Sequence, residues 1–465
     1  MLLILVAVAA SLPAQILERI DKLAPHYKQV SRQIWETPEL SFHEFKSSGL
    51  LKEELRQAGF RITENVGGMP TAFVAEWGKG EPVVGILGEF DALAGLSQAD
   101  EPERRALVAG APGHGCGHNL LGTAAALAAV AVKQELEATG RAGTIRFYGT
   151  PAEEGGAGKV YMIRAGAFKD VGAVLAWHPA DTNQADDNSW LSNLSARFRY
   201  HGKASHAAGA PEAGRSALDA LELTTHAINM LREHVPQETR MHYIITKGGA
   251  ATNIVPDYAE LSLVVRHPDL KTLEGIWARV QKCAQAGALA TETTVDIEIT
   301  GAYANMQRNS VLRDLLDRNV HRVGGFTYSA DEAAFAEKIR ATLNSTSLAP
   351  LSLTSEVLAP KSTQTYVSTD VGDVSWVVPT GQLLAAALPA GVPLHTWQST
   401  ACTGTEIGRK GMLVAAKTLA LSAAELFEKP QLVKDAKAAW DKAMAGQTYR
   451  SLIPAGHQPP LNDAH

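Results

Sequence analysis

Hydrophobic positions recur at helical spacing from Gln15 to about Ala58, where Leu17, Ile20, Leu23, Val30 and Ile34 share one face. Short apolar runs follow at Thr71 to Trp77, Val83 to Leu87, Thr144 to Tyr148 and Ala173 to Trp177. Their length and their flanking turn residues predict strands. Between them, Asn119 to Ala138 and Gly158 to Gly166 carry helical patterns. Strands alternating with helices predict an α/β fold, a central and mostly parallel sheet with helices on both faces.

The pattern changes after the polar Asp186-Asp187-Asn188. Leu194 to Tyr200 reads as a strand, Ser216 to Glu233 as a helix, Gly248-Gly249 as a turn and Tyr258 to Arg266 as a strand. A helix over Leu270 to Leu289 and a strand over Thr294 to Ile299 complete the set. The order strand, helix, strand, strand, helix, strand predicts a compact ferredoxin-like α+β insert over residues 189–306. From Asn309 helical periodicity returns, and Gly408 to Ala424 reads as a long helix. The main domain therefore divides into residues 15–188 and 307–428, and a C-terminal helix and tail occupy 429–465. Pro454 to His465 is polar and Pro-containing, and is expected to be loosely held.

At 465 residues, 45% hydrophobic and 20% charged, the chain can bury a large core in two or three domains. Its net charge of -6 is spread along the sequence, with no Lys/Arg-rich run, which argues against nucleic acid as a partner. A small-molecule substrate fits better. Three widely spaced cysteines, Cys116, Cys283 and Cys402, are no disulfide framework, so at least one is a free thiol or a ligand. Leu2 to Ala10 is an unbroken apolar run ending at Ser11-Leu-Pro-Ala14, like the core and cleavage region of a secretory signal. Residues 1–14 thus favour export to the periplasm, with a packed helix start in a cytoplasmic protein as the alternative. The run is too short for stable membrane insertion.

The candidate chemistry gathers at predicted strand ends, where open α/β sheets bind their ligands. Asp91 follows one run, Glu153-Glu154 another and His178 a third, while Cys116 and His118 sit in the glycine-rich His114-Gly-Cys-Gly-His118 before a helix. Alone, each has a bland reading: Cys116 as a small buried hydrophobe, the glutamates as a helix N-terminal pair, His178 as a structural imidazole. Together they suit a borderline transition ion better than calcium or magnesium. Too many donors are present for one tetrahedral ion. Two ions sharing a bridging ligand would use them, polarising a carbonyl and activating water, while one of the paired carboxylates works as general base.

Seven segments resemble a known family: Gly88-Glu-Phe-Asp-Ala-Leu-Ala-Gly-Leu-Ser97, Gly113-His-Gly-Cys-Gly-His-Asn119, Thr150-Pro-Ala-Glu-Glu-Gly155, Trp177-His-Pro179, Gly202-Lys-Ala-Ser-His-Ala207, Ser368-Thr-Asp-Val-Gly-Asp-Val-Ser-Trp376 and Pro393-Leu-His-Thr-Trp397. The chain is similar to the metal-dependent amidohydrolases that cleave hippurate, auxin conjugates and aminobenzoyl-glutamate, relatives of dinuclear zinc carboxypeptidases. Within that family it is most similar to the branch that holds the aminobenzoyl-glutamate B subunit. The resemblance implies Cys116, His118, Glu154, His178 and His395 as ligands of two divalent ions, Mn2+ or Zn2+, with Cys116 bridging. It implies Glu153 as the general base that moves a proton from water to the leaving amine, and Asp91 as the group that orients a metal-site histidine, although Glu89 stands where the wider clan has that histidine. His206 would stabilise the oxyanion, from the partner subunit of a homodimer whose lid is the insert. Asn253 and Arg266 are candidates for gripping a substrate carboxylate, with a surface residue at a strand end as the bland reading of Arg266. His114 stays outside the ligand set. Asn119 departs from the Asp of many relatives, and so removes a negative charge near the metals.

The activity implied is hydrolysis of the amide bond of N-acyl or N-aroyl amino acids, with aminobenzoyl-glutamate-like substrates favoured. A dipeptidase or carboxypeptidase with the same centre is the alternative enzyme. A non-catalytic member of a two-subunit hydrolase, needing a paralogous second subunit, is the alternative from another class; Glu153 argues against it, because a structural partner has no use for a base.

Overall fold

Helix α1 (Leu12–Glu36) opens the computed structural model, which describes residues 12–345 and 347–462. Most of the signal-like segment lies outside the described residues, and Leu12 to Ala14 form the first turn of α1. After α1 come α2 (Phe45–Gln57), β1 (Arg61–Glu64), β2 (Phe73–Lys79), β3 (Val83–Glu89), α3 (His118–Thr139), β4 (Gly143–Thr150), α4 (Gly158–Arg164), β5 (Ala173–Ala180) and β6 (Gln184–Asp186). The insert contributes β7 (Ser192–His201), α5 (Ala217–Leu231), β8 (Arg240–Lys247), β9 (Tyr258–His267), α6 (Leu270–Ala290) and β10 (Thr294–Tyr303). The chain then returns with α7 (Ser310–Val323), α8 (Ala330–Ala341), α9 (Val371–Ser375), β11 (Thr380–Ala386), α10 (Trp397–Thr403), α11 (Glu406–Glu428) and α12 (Pro430–Ala443).

The larger sheet has the order β1-β2-β4-β3-β5-β11-β6. Its four middle strands are parallel, and at the margins β2 and β6 run against them while β1, paired antiparallel with β2, runs with them. Every residue of β3 is buried, as expected for a central parallel strand covered on both faces. One face packs against α1, α3, α7 and α11; the other is closed by α4 and α9 through Val160, Met162, Val371 and Val374. Helix α3 is apolar nearly all round, and Ala124 to Ala129 are fully buried, so it lies between the sheet and α11.

The second sheet is antiparallel in the order β10-β7-β9-β8, with α5 and α6 packed together against it. This is the ferredoxin-like arrangement the strand and helix order predicted. Its edge strand β8 leaves Ile244 and Ile245 exposed, an unpaired apolar edge of the kind that seeks a partner. Among the described residues no helix is long and apolar enough to cross a membrane.

Two expectations need correction. Periodicity after Asn309 reads as helical, yet Thr380 to Ala386 forms β11, a Leu- and Ala-rich strand held by pairing with β5 rather than by β-branched propensity. The tail from Pro454 is not wholly loose as far as residue 462: His457 Nδ1 lies 3.1 Å from the Tyr161 hydroxyl on α4, and Leu461 packs against the core beneath it.

The approach of α3 to β3 sets the geometry at the carboxyl end of the larger sheet. A Cβ on Gly122 would stand 2.6 Å from the carbonyl oxygen of Glu89, so only glycine allows this contact. Gly122→Val should push α3 off the strand and destabilise the chain by about 1–3 kcal/mol. Urea unfolding checks this; an unchanged midpoint and slope would show that the contact is not tight.

Candidate metal centre

Because β3, β4, β5 and β11 are parallel, their carboxyl ends lie along one edge, and the loops leaving them meet there. Glu89 and Asp91 come from the end of β3, Glu153 and Glu154 from the loop after β4, His178 from β5 and His395 from the loop before α10. Cys116 and His118 arrive at the start of α3, where Gly117 takes the left-handed conformation (φ 75°) that lets the chain turn into the helix. The backbone N–H of His395 donates to the Gly115 carbonyl at 2.9 Å and so ties the two loops together.

Two histidines turn Nε2 toward the other donors because Nδ1 is engaged elsewhere. His118 Nδ1 lies 3.0 Å from Asp91 Oδ1, and His178 Nδ1 lies 2.8 Å from the carbonyl of Pro179. Both partners only accept, so each Nδ1 carries a proton and each Nε2 is the nitrogen that can offer a lone pair to an ion. His178 Nε2 sits 3.4 Å from Cys116 Sγ. On the other side of the thiol, His395 Nε2 is 3.4 Å from Glu154 Oε2. Two triplets result, each with its donor atoms within 4.8 Å of one another: Cys116, His118 and His178, and Cys116, Glu154 and His395. Cys116 belongs to both.

The electrostatics suit cations. Burial pushes the Cys116 thiol well above its ordinary value, and Glu154 adds to this. Burial likewise raises Glu154 to about 7, and raises Glu153 far above the usual carboxylate range with help from Glu89, Glu154 and Asp370. Against its burial, His118 is held well above its ordinary value by the charges of Cys116 and Asp91. A pocket that retains protons on its acids this strongly lacks positive charge, which a divalent ion supplies on displacing them. The donors fit such an ion: His118 Nε2 and Glu154 Oε1 are buried and without hydrogen-bond partners among the described residues.

Beside these donors lies a cavity of about 640 Å³, which Cys116, Glu153, Glu154, His178 and His395 help to line. Its lining also has an apolar part, with Leu384, Leu388, Val392 and Leu394. His206 and Asn253 are not brought there. Both are exposed in the insert, where His206 bridges to Ile254 and the Asn253 carbonyl accepts from Ala207. Arg266 lies nearer: in the register of the second sheet it shares a row with Asn193 and Tyr303, and the Tyr303 hydroxyl donates to the Glu153 carbonyl at 2.8 Å. The Arg266 Nε is buried with no hydrogen-bond partner among the described residues. His114 is buried and close to Ile34 O at 3.2 Å, and burial lowers it to about 3, so it shapes the loop as a neutral ring.

Sequence reasoning missed several groups that hold the centre. Asp91 serves more than His118, because its Oδ2 accepts from the Glu154 backbone N–H at 2.9 Å and from Ser41 Oγ at 3.1 Å. Glu44 is fully buried and its Oε1 accepts from the N–H groups of Phe42 and Ala152, while Oε2 accepts from Thr71. It thereby fixes Ala152, at the positive φ of 59°, just before the two glutamates. Lys159 is a fully buried ammonium between Glu89 at 2.7 Å and Asp370 at 2.6 Å. Glu89 and Asp370 fall within segments that carried the family resemblance; Glu44 and Lys159 left no signal, being charged residues in helical stretches.

Residues 192–292 match the peptidase dimerisation domain. The chain is 41% identical to the B subunit of p-aminobenzoyl-glutamate hydrolase from Escherichia coli (strain K12), covering 95% of this chain and 97% of that protein. It is 33% identical to the Xaa-Arg dipeptidase of Mus musculus, with 90% and 89% covered. Among solved structures it is similar to an aminobenzoyl-glutamate utilization protein from Klebsiella pneumoniae (17% identity, 88% and 97% covered, TM-score 0.59). A dinuclear metal-binding peptidase of the M20 family from Bacillus subtilis is similar to the same degree (18% identity, 88% and 99% covered, TM-score 0.59).

Glu44 gives this scaffold a measurable signature. Burial, and then the charge of Asp91, raise it to about 8 from an ordinary 4.5. The unfolded chain therefore loses this proton first, and stability declines as pH climbs between those two values. Glu44→Gln removes that dependence, so its unfolding free energy should fall less than that of wild type between about pH 5 and pH 8. Glu44→Ala strips the acceptor from three buried donors and should cost roughly 2–4 kcal/mol. Urea unfolding at the two pH values checks both; equal pH slopes for wild type and Glu44→Gln would contradict the first.

Proposed function

Because the chain belongs to the M20 family of metal-dependent peptidases and amidohydrolases, we propose that it hydrolyses the amide bond of N-acyl or N-aroyl amino acids, aminobenzoyl-glutamate-like substrates among them. The observation that carries the reading is the pair of donor triplets sharing Cys116 beside a cavity with an apolar wall. Cys116, His118 and His178 would hold one divalent ion, and Cys116, Glu154 and His395 the other. Manganese and zinc both accept this mixture of thiolate, imidazole and carboxylate. Bound there, the ions supply Lewis-acid polarisation of the substrate carbonyl and acidify water.

Glu153 is the base. Its burial among Glu89, Glu154 and Asp370 raises its proton affinity, which suits a group that takes a proton from the attacking water and returns it to the leaving nitrogen. Asp91 keeps His118 in the tautomer that presents Nε2. The apolar wall formed by Leu384, Leu388, Val392 and Leu394 suits an aryl or acyl group. Arg266 would receive the substrate carboxylate; its unpartnered Nε, in the same row as Tyr303, whose hydroxyl meets Glu153, supports this.

His206 and Asn253 lie outside the lining of the cavity in their own protomer, so they act in the site of a second copy. The dimerisation domain and the exposed Ile244 and Ile245 edge support that pairing. A paralogous chain as the partner is the competing arrangement, since the similar Escherichia coli protein is the B subunit of its hydrolase and the A subunit of p-aminobenzoyl-glutamate hydrolase is 26% identical to this chain. The likeness to an Xaa-Arg dipeptidase favours dipeptides as the second substrate class. A panel of aroyl amino acids and dipeptides, assayed on the purified chain alone, separates them.

Two outcomes are expected. Glu153→Gln should retain its metals while kcat falls by about 10²–10⁴-fold; undiminished turnover would remove Glu153 from the reaction. Mixing the inactive Glu153→Gln and His206→Ala proteins should restore about one quarter of wild-type turnover, because half of randomly paired dimers hold one intact site. No recovery on mixing, with subunit exchange verified, would place His206 outside the partner's site.

A further inference from the structure

Glu89 closes β3 with its side chain almost fully buried, and its two oxygens have different fates. Oε1 accepts from Lys159 Nζ at 2.7 Å. Oε2 has no hydrogen-bond partner among the described residues and stands 3.3 Å from His118 Nε2, which has none either. With Nδ1 of His118 donating to Asp91, these two acceptor atoms can face each other in a water-poor pocket only with a positive charge between them, a proton on Nε2 or a metal ion in its place. Such a contact is costly unless a cation lies between them. Two donors on one tetrahedral ion, at metal–ligand distances of about 2.0–2.2 Å, stand about 3.3–3.5 Å apart.

We infer that Glu89 is a fourth ligand of the ion held by Cys116, His118 and His178, and that Lys159 and Asp370 fix its carboxylate for that role. The inference rests on the two-metal reading above. Glu89 belongs with His118 and Glu153 to a third triplet whose donor atoms all lie within 4.8 Å. Lys159 takes up Oε1, so Glu89 offers its ion one oxygen, and the backbone N–H of Lys159 donates to Asp370 Oδ2 at 3.0 Å, which holds the ammonium's second acceptor in register. Glu89 would add a second anionic donor to an ion whose other one, the Cys116 thiolate, is shared with the neighbouring ion. With Glu89 joining through His118, the two positions would differ in donor count, four protein donors for one against Cys116, Glu154 and His395 for the other, while Cys116 and His178 of the first also line the cavity.

Zinc affinity is measured by chelator competition on the stripped wild type and on Glu89→Gln, with stoichiometry from elemental analysis. Wild type should take up two ions per chain, and Glu89→Gln should weaken one of them about 10–100-fold while the other is unchanged. Two ions in the variant with both affinities as in wild type would overturn the role of Glu89 and leave the two-metal reading intact. A wild type that takes up no ion would overturn both. Should Glu89→Gln fail to fold, anomalous diffraction from zinc-loaded wild type decides. A Glu89 oxygen about 2.0–2.2 Å from an anomalous peak supports the assignment, and a carboxylate beyond about 3 Å from every peak overturns it.

Discussion

The hydrogen bond between Asp91 and His118 governs the rest of the site. One carboxylate, fully buried, settles which nitrogen of His118 faces the other donors, and its second oxygen holds the backbone of Glu154 and the hydroxyl of Ser41. The same side chain therefore fixes a candidate ligand from α3, a candidate ligand from the loop after β4 and the segment leading into α2. Burial would raise the carboxyl of Asp91, yet the hydrogen bond and charge of His118 keep it below its ordinary value, so it stays an acceptor. A group that stays ionised in this pocket can organise acids that do not.

The fold makes that interaction possible by bringing backbones unusually close. Gly122 lets α3 touch the carbonyl of Glu89, and Gly117 turns the chain so that Cys116 ends the loop and His118 opens the first helical turn. The parallel register of β3, β4, β5 and β11 delivers the remaining donors to one edge although they come from distant parts of the sequence. Around this edge the acids are arranged in layers. Glu44 braces the Ala152 turn, and Lys159 with Asp370 braces Glu89. Each brace neutralises or hydrogen-bonds a charge that would otherwise be stranded in the interior.

Much of this was legible from the chain. The central strands announce themselves as short apolar runs, the insert by its order of strands and helices, and Cys116, His118, Glu154 and His178 by where donors fall relative to strand ends. His395 rested on family resemblance. What escaped detection depends on tertiary context. β11 is a strand because β5 offers it a parallel edge, and Leu- and Ala-rich residues read equally well as helix. Glu44 and Lys159 look like exposed helix charges until the fold buries them, since no periodicity distinguishes a solvated face from a paired interior charge. His206 and Asn253 are exposed in the single chain and lie outside the lining of its cavity.

Amide hydrolysis by this chain, as proposed, requires two ions around one thiolate. The direct measurement is turnover of an N-aroyl amino acid as manganese or zinc is added back to the chelator-stripped chain, with no second protein present. Turnover should be absent without metal and should rise to a break at two equivalents per chain. Turnover that survives stripping, or a break at one equivalent, would rule the two-ion centre out.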